Sequence, residues 1–276
     1  MGILINGQVG WRSATVVGAP SGGCGYADTD VCNFITAASI TDTTQKNAIN
    51  TLVAQLKTYG IWTKLKAVYP FVGGTASSHK FNLKDPRDLD AAYRLTFNGG
   101  WTHSSTGAKP NGTTGYANPY YTNVTDNSSM WYYSRTNNTT NGLEMGVYNN
   151  PYSDTALIVY WNGGSSGYIR ALSNGYSGLD WAATTSQGFY GANRTSSTLA
   201  NSWHNGLKKG TNTNTSSQDA FTKTLFIGAY NSNAGATYFS NKESAFASIG
   251  DGLTDTDAAN FYTAVQTFQT TLGRAV

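Results

Sequence analysis

Glutamate is nearly absent from this sequence: only Glu144 and Glu243 occur in 276 residues. Charged residues of all kinds make up 12% of the chain, about half the share of an ordinary globular domain. Two-carboxylate hydrolysis needs paired acids flanking the scissile bond. Two glutamates far apart in sequence, and no strand with alternating acids, give no such pair. Basic runs are missing too. The net charge is +3, and the densest pair, Lys208-Lys209, reads as a hairpin turn, so no nucleic-acid footprint is present. No stretch approaches the ~18 apolar residues of a membrane helix, so no membrane partner is expected. No phosphate-cradling Gly-x-x-x-x-Gly-Lys-Ser/Thr loop occurs. A Ser-His-Asp triad is not excluded by spacing.

Cysteine is limited to Cys24 and Cys32, in the string CGYADTDVC. Seven intervening residues permit a small disulfide loop. The start, Met1 to Gly7, has neither the basic residues nor the apolar run of a secretory leader, so reduced thiols are the expectation. With no histidine nearby, zinc is not expected. Histidine is also scarce, and His79 beside Lys80 reads as a surface or packing residue.

What remains is Asn, Thr, Ser, Gly and Tyr, which must supply the polar surface. Such uncharged surfaces suit extracellular adhesins and particle-forming structural proteins. Aromatics reach 13%, mostly Tyr, which suits both pleated sheets and sugar binding. Asn-x-Ser/Thr recurs from Asn111 to Asn214, as chance produces in an Asn- and Thr-rich chain.

The organisation reads as three parts. Residues 1–26 form a Gly- and Ser-rich arm with isolated apolar points, suited to anchoring. Residues 27–75 form a small helical unit. Val31, Phe34, Ile35 and Ala38 have helical spacing. Asp42, with Gln45 three later, resembles a capping box before the stripe Ile49, Leu52, Val53, Leu56. Ile61 to Lys66 reads as a further helical turn, and Ala67 to Val72 as a strand. One stripe buries too little to fold alone, so this unit should dock on the third part, residues 76–276.

There the rhythm is all-β. Strands are expected at 129–134, 143–148, 156–161, 167–172, 188–192, 198–203, 225–230 and 244–249. Asn205-Gly206 is the strongest hairpin signal. Gly146-Val147-Tyr148-Asn149 echoes Gly228-Ala229-Tyr230-Asn231, as two strands leaving the sandwich through similar turns. Thr254 caps a closing helix, 254–272, whose Phe261, Val265, Phe268 and Leu272 should face inward against the helical unit. Short strands between turn clusters give a mainly β fold, a sandwich or jelly roll.

Several of these pieces carry a resemblance. Asn111-Gly112 with Gly115-Tyr116-Ala117, the hairpin Trp203 to Gly206, the strand Leu225 to Ala229 and the passage from Leu253 into a helix resemble the concanavalin A-like (laminin G-like) jelly roll. The blocks Trp62 to Arg87 and Phe246 to Leu253 are similar to segments of uncharacterised structural proteins of tailed bacteriophages. This likeness spans about residues 28–274. It implies a non-enzymatic virion protein, assembled in the host cytoplasm and exposed on the particle surface as a head decoration, fibre or tail appendage. Its partners would be other virion proteins and copies of itself. The alternative is a lectin-like module that recognises host-surface glycans, for which Trp131, Trp161, Trp181 and Trp203 are the candidates if they lie on an exposed face. Laminin G-like domains often hold Ca2+. Asp251 or Asp154 could serve, although turn chemistry accounts for both, and no cofactor is otherwise expected.

Overall fold

The computed structural model describes residues 24–140, 142–148, 154–157, 167–169, 179–181, 184–213 and 221–276. The expected arm lies outside these residues up to residue 23, as does Trp161. Two helices open the described chain, α1 (Thr29–Ala37) and α2 (Thr43–Thr58). The strand β1 (Leu65–Tyr69) and the short helix α3 (Ala76–His79) follow. Then come β2 (Thr96–Asn98), β3 (Trp101–Ser104), β4 (Gly107–Pro110), β5 (Tyr116–Asn118), β6 (Ser128–Ser134), β7 (Met145–Tyr148), β8 (Asp154–Leu157), β9 (Gly167–Ile169) and β10 (Leu179–Trp181). The remainder is β11 (Gly188–Ser196), β12 (Leu199–His204), β13 (Leu207–Asn212), β14 (Phe226–Ile227), β15 (Tyr230–Ser232), β16 (Gly235–Thr237), β17 (Ser244–Gly250) and α4 (Asp255–Thr271).

The strands make two principal sheets. The large one runs β13-β12-β11-β6-β17-β4-β3, with β1 also paired to β17. The small one runs β16-β15-β7-β14-β5-β2, with β8 also on β7. Nearly all pairings are antiparallel, and the two sheets stack face to face as a jelly-roll sandwich. The period-2 alternation of a strand explains the layering. Along β6, Met130 and Tyr132 enter the core shared with Met145, Val147 and Ile227 of the small sheet. Their neighbours Trp131 and Tyr133 point the other way, into a second core with α1, α2 and α4. In β1, Ala67 and Tyr69 take the first core, Leu65 and Val68 the second. The molecule is therefore three layers deep: helices, large sheet, small sheet.

Local chemistry builds the helical layer. Asp42 caps α2 by accepting from Gln45 N–H at 2.8 Å. The Gln45 side chain does not reach back as a capping box would; it accepts from Gly73 N–H at 2.8 Å and so ties α2 to the turn after β1. Thr254 and Asp257 do form a reciprocal box at the start of α4. Phe261, Val265 and Phe268 are buried, with Leu272 partly so, and α4 packs on α2 as the spacing predicts. Ile61 to Lys66 is not helical beyond a turn. Leu65 and Lys66 already belong to β1, because pairing with β17 outweighs a single unsupported helical turn.

Cys24 and Cys32 form a disulfide, correcting the expectation of free thiols. The turn before α1 brings their Cα atoms to 5.3 Å, well within bridging range. The Asn205-Gly206 hairpin joins β12 and β13, with φ of 49° and 75° at its two centres, as a type I′ turn requires.

Candidate functional site

Trp131 and Trp203 do not make the site. Trp131 and Trp203 are 1% and 3% exposed and sit in the core beneath the helices. Trp131 is wedged against Phe189 and Phe261 at centroid distances of 5.3 and 5.5 Å. Gly191 on the neighbouring strand leaves space for its indole, where any Cβ would collide with the ring. Neither residue can stack on a ligand. The cause is the helical layer, which covers the large-sheet face that these strands present. Trp181 falls in β10.

The scarce acids are also committed. The carboxylate of Glu144 faces Lys242 Nζ at 3.2 Å, both side chains fully buried, and accepts from Ser240 Oγ at 2.9 Å. Glu243 pairs with Arg135 at 3.2 Å and accepts from the Thr106 hydroxyl. Each glutamate thus has its own cation. Asp85, Asp88 and Asp90 are engaged by Arg87, Lys80 and Arg94. Asp251 is paired with Lys66 at 2.8 Å, which does not fit a calcium ligand. No group of three or more His, Cys, Asp or Glu suited to a metal occurs among the described residues.

The histidines serve packing. His79 and His103 share a hydrogen bond between their Nδ1 atoms at 3.0 Å, so one carries the proton and the other accepts it. Phe71 packs on His79, and Phe97 and Trp101 on His103. Burial, then the neighbouring His103 and Arg274, depress the pKa of His79 to about 3. Burial also lowers His103, and it lowers His204, whose Nε2 donates to Gln187 O at 3.0 Å. The literal Gly-x-Ser-x-Gly string at Gly163 to Gly167 has residues 163–166 outside the described chain.

The outer side of the small sheet is different. Core residues Ala117, Met145, Val147 and Ile227 fix which way its strands face. By alternation Tyr116, Tyr148 and Phe226 point outward. Tyr116 and Phe226 stack at 4.5 Å, with planes 26° apart. Tyr148 meets Tyr230 at 6.2 Å, and Tyr230 meets Tyr238 at 6.4 Å. Tyr238 is 55% exposed. Thr96, Asn98 and Asn118 share this side, because β2 pairs with β5 in the register Thr96 to Asn118 and Asn98 to Tyr116. Rings beside carboxamides and hydroxyls form a surface that stacks and hydrogen-bonds without charge. No described helix packs over this side.

No family model matches the sequence, and no curated protein does. Some solved structures are similar to it in part. Domain 4 of an extracellular GH43 arabinanase from Geobacillus stearothermophilus, determined in complex with arabinotriose, is 16% identical. The match covers 72% of this chain and 98% of that one, with a TM-score of 0.49. A botulinum neurotoxin type C structure concerned with binding of two ganglioside molecules is 10% identical over 76% of this chain and 53% of that one, TM-score 0.48. The botulinum neurotoxin serotype D binding domain is 11% identical over 74% and 51%, TM-score 0.44. The chain spans about half the length of these neurotoxin chains.

The aromatic cluster was visible in the sequence only as the echo of Gly146 to Asn149 in Gly228 to Asn231. In the structure β15 runs parallel to β7, placing Tyr230 opposite Gly146 and Asn231 opposite Val147. The echo therefore marks two adjacent strands whose tyrosines meet. Tyr238 had no signal, since its contact depends on the β15–β16 hairpin.

Proposed function

We propose that this protein is a non-catalytic recognition module that binds glycans on the outer aromatic side of its small sheet. The observation that carries the reading is the Tyr148–Tyr230–Tyr238 cluster, ending in a ring that is 55% exposed. Exposed tyrosines present an apolar face to a pyranose ring and a hydroxyl to its substituents. The pairing of both glutamates with cations supports a binding role over a hydrolytic one.

The setting we propose is the surface of a bacteriophage particle, with the N-terminal region as anchor and host-surface glycans as ligand. It rests on the resemblance of the blocks 62–87 and 246–253. Those blocks meet as β1 against β17, in the middle of the large sheet, so they support kinship of scaffold rather than choice of ligand.

A broad glycan array probed with the full chain tests the binding reading. Signal on a subset of glycans, weakened at least about tenfold by Tyr238→Ala, is the expected result. Silence across the array would sink it. Removing residues 1–26 is expected to abolish incorporation into particles while the sandwich stays folded, and unimpaired incorporation would remove the anchoring role.

A further inference from the structure

A second feature lies at one end of the sandwich, where the chain passes from β5 to β6. The loop Thr122 to Asn127, with Phe221, surrounds a half-open cavity of about 450 Å³. That is within the usual range for small-molecule sites. The loop is braced from inside. Tyr121 Oη donates to Asn123 O at 2.8 Å, Thr125 N–H donates to Ser128 Oγ at 2.8 Å, and Asn127 N–H to Thr125 Oγ1 at 3.2 Å. Val124 and Phe221 are buried into the inter-sheet core, which fixes the apolar part of the wall.

The polar groups are held in place as well. Asp126 is paired at 2.9 Å with Arg194, whose side chain is fully buried and donates to the carbonyls of Ser196 and Ser197. Asn127 Oδ1 accepts from Gly252 N–H at 3.0 Å, which orients its carboxamide and leaves the Nδ2 hydrogens for another acceptor. The side chain of Asn123 forms no hydrogen bond with the described residues.

We infer that this cavity binds one neutral sugar residue. The chemistry on its wall is two carboxamides that donate and accept, threonine hydroxyls and one aromatic ring, beside the Asp126–Arg194 pair. Such a set suits a polyhydroxylated ring. Asp126 and Arg194 offset each other's charge and Arg194 is fully buried, so the wall offers no cation to an acidic sugar or a phosphate, and the ligand class is neutral. The site is separate from the aromatic side of the small sheet and does not depend on that side binding anything. Together the two would let one chain hold a glycan at two points, which raises avidity without new contacts at either.

The test is backbone-amide and Asn side-chain NMR on the full chain, titrated with methyl glycosides of glucose, galactose, mannose and N-acetylglucosamine, and with sialic acid as the acidic probe. Saturable shifts centred on residues 122–127 and Phe221 with at least one neutral glycoside, and none with sialic acid, are expected. Asn127→Ala should weaken binding about tenfold or more. Because that change also removes the acceptor of Gly252 N–H, Asn123→Ala, which breaks no described bond, should weaken it in the same direction. Tyr238→Ala should leave these shifts unchanged. No saturable shift with any neutral glycoside up to roughly 100 mM overturns the site, since that is far above the millimolar weak-binding range. So do shifts that survive both Asn variants, or that vanish in Tyr238→Ala.

Discussion

The large and small sheets use aromatic residues in opposite ways. On the large sheet the rings are enclosed: Trp131, Phe189 and Phe246 interlock with Phe261 of α4 at centroid distances of 5.3 to 5.9 Å. On the small sheet Tyr116, Tyr148, Tyr230 and Tyr238 lie on the side away from the core and remain at least partly exposed, with the buried Phe226 stacked on Tyr116. Composition does not separate the two sets. What separates them is whether a second layer lies above. The helices claim one face of the large sheet, and the small sheet claims the other. The side with no described helix is where we propose recognition.

This contrast can be broken most strongly at Phe261. Phe261→Ala removes the ring that locks α4 onto three large-sheet aromatics and should cost about 3–5 kcal/mol, measured by urea unfolding. A cost below about 1 kcal/mol would mean that the helical layer does not hold the large sheet.

The buried Lys242–Glu144 pair is the polar counterpart, beside the small sheet. Lys242→Met leaves the Glu144 carboxylate buried without its cation and should destabilise by about 3–5 kcal/mol. The double replacement Lys242→Met with Glu144→Leu should recover much of that loss, because neither charge is then stranded. If the double variant is no better than the single one, the cost is one of packing rather than charge.

The disulfide pins only the helical layer. Reduction of Cys24–Cys32 should lower stability by about 2.5 kcal/mol through the freed loop, read as a shift in the urea midpoint. Glycan binding on the small sheet should be unchanged.

Much of this arrangement was legible in the sequence, for reasons that differ by element. The strands 129–134 and 244–249, the Asn205-Gly206 turn and the caps at Asp42 and Thr254 rest on local chemistry, and the structure keeps them. The inward side of α4 followed from its spacing. Ile61 to Lys66 failed because its fate depends on β17, nearly two hundred residues away. Trp131 and Trp203 failed as site residues for a related reason. A strand pattern shows that Trp131 and Tyr132 face opposite ways, but not which layer covers each. Reduced thiols were inferred from the chain's start, whereas the turn before α1 decides the pairing.

Acid should also act unequally on the two halves. His79 and His103 lie where α3 and β3 meet, and His204 stacks on Tyr190 of the large sheet at 4.2 Å. Folding lowers the pKa of all three, so below the unfolded value of 6.5 the unfolded chain binds protons that the folded chain refuses. Stability should therefore fall as pH drops from about 6.5, continuing towards about 3 for His79. At pH 5 the His79 contribution alone is about 2 kcal/mol. His79→Asn, which can keep a hydrogen bond to His103, should flatten the decline between pH 7 and 5. An unchanged slope would show that His79 already titrates normally.

The smallest effect on stability should come from Tyr238. Its ring is 55% exposed and packs only edge-on against Tyr230. Tyr238→Ala should change unfolding free energy by no more than about 0.5 kcal/mol, as for most surface substitutions. The same change should weaken glycan binding at least about tenfold, while Phe261→Ala, assayed at a temperature where it stays folded, should leave the affinity of the folded fraction intact. That crossing of effects is what the layering requires: a ring under a second layer holds the fold, and a ring with none above it is free to hold a ligand. If Tyr238→Ala proved costly to stability and neutral to binding, the open side of the small sheet would be structural, and the contrast between the sheets would carry no function.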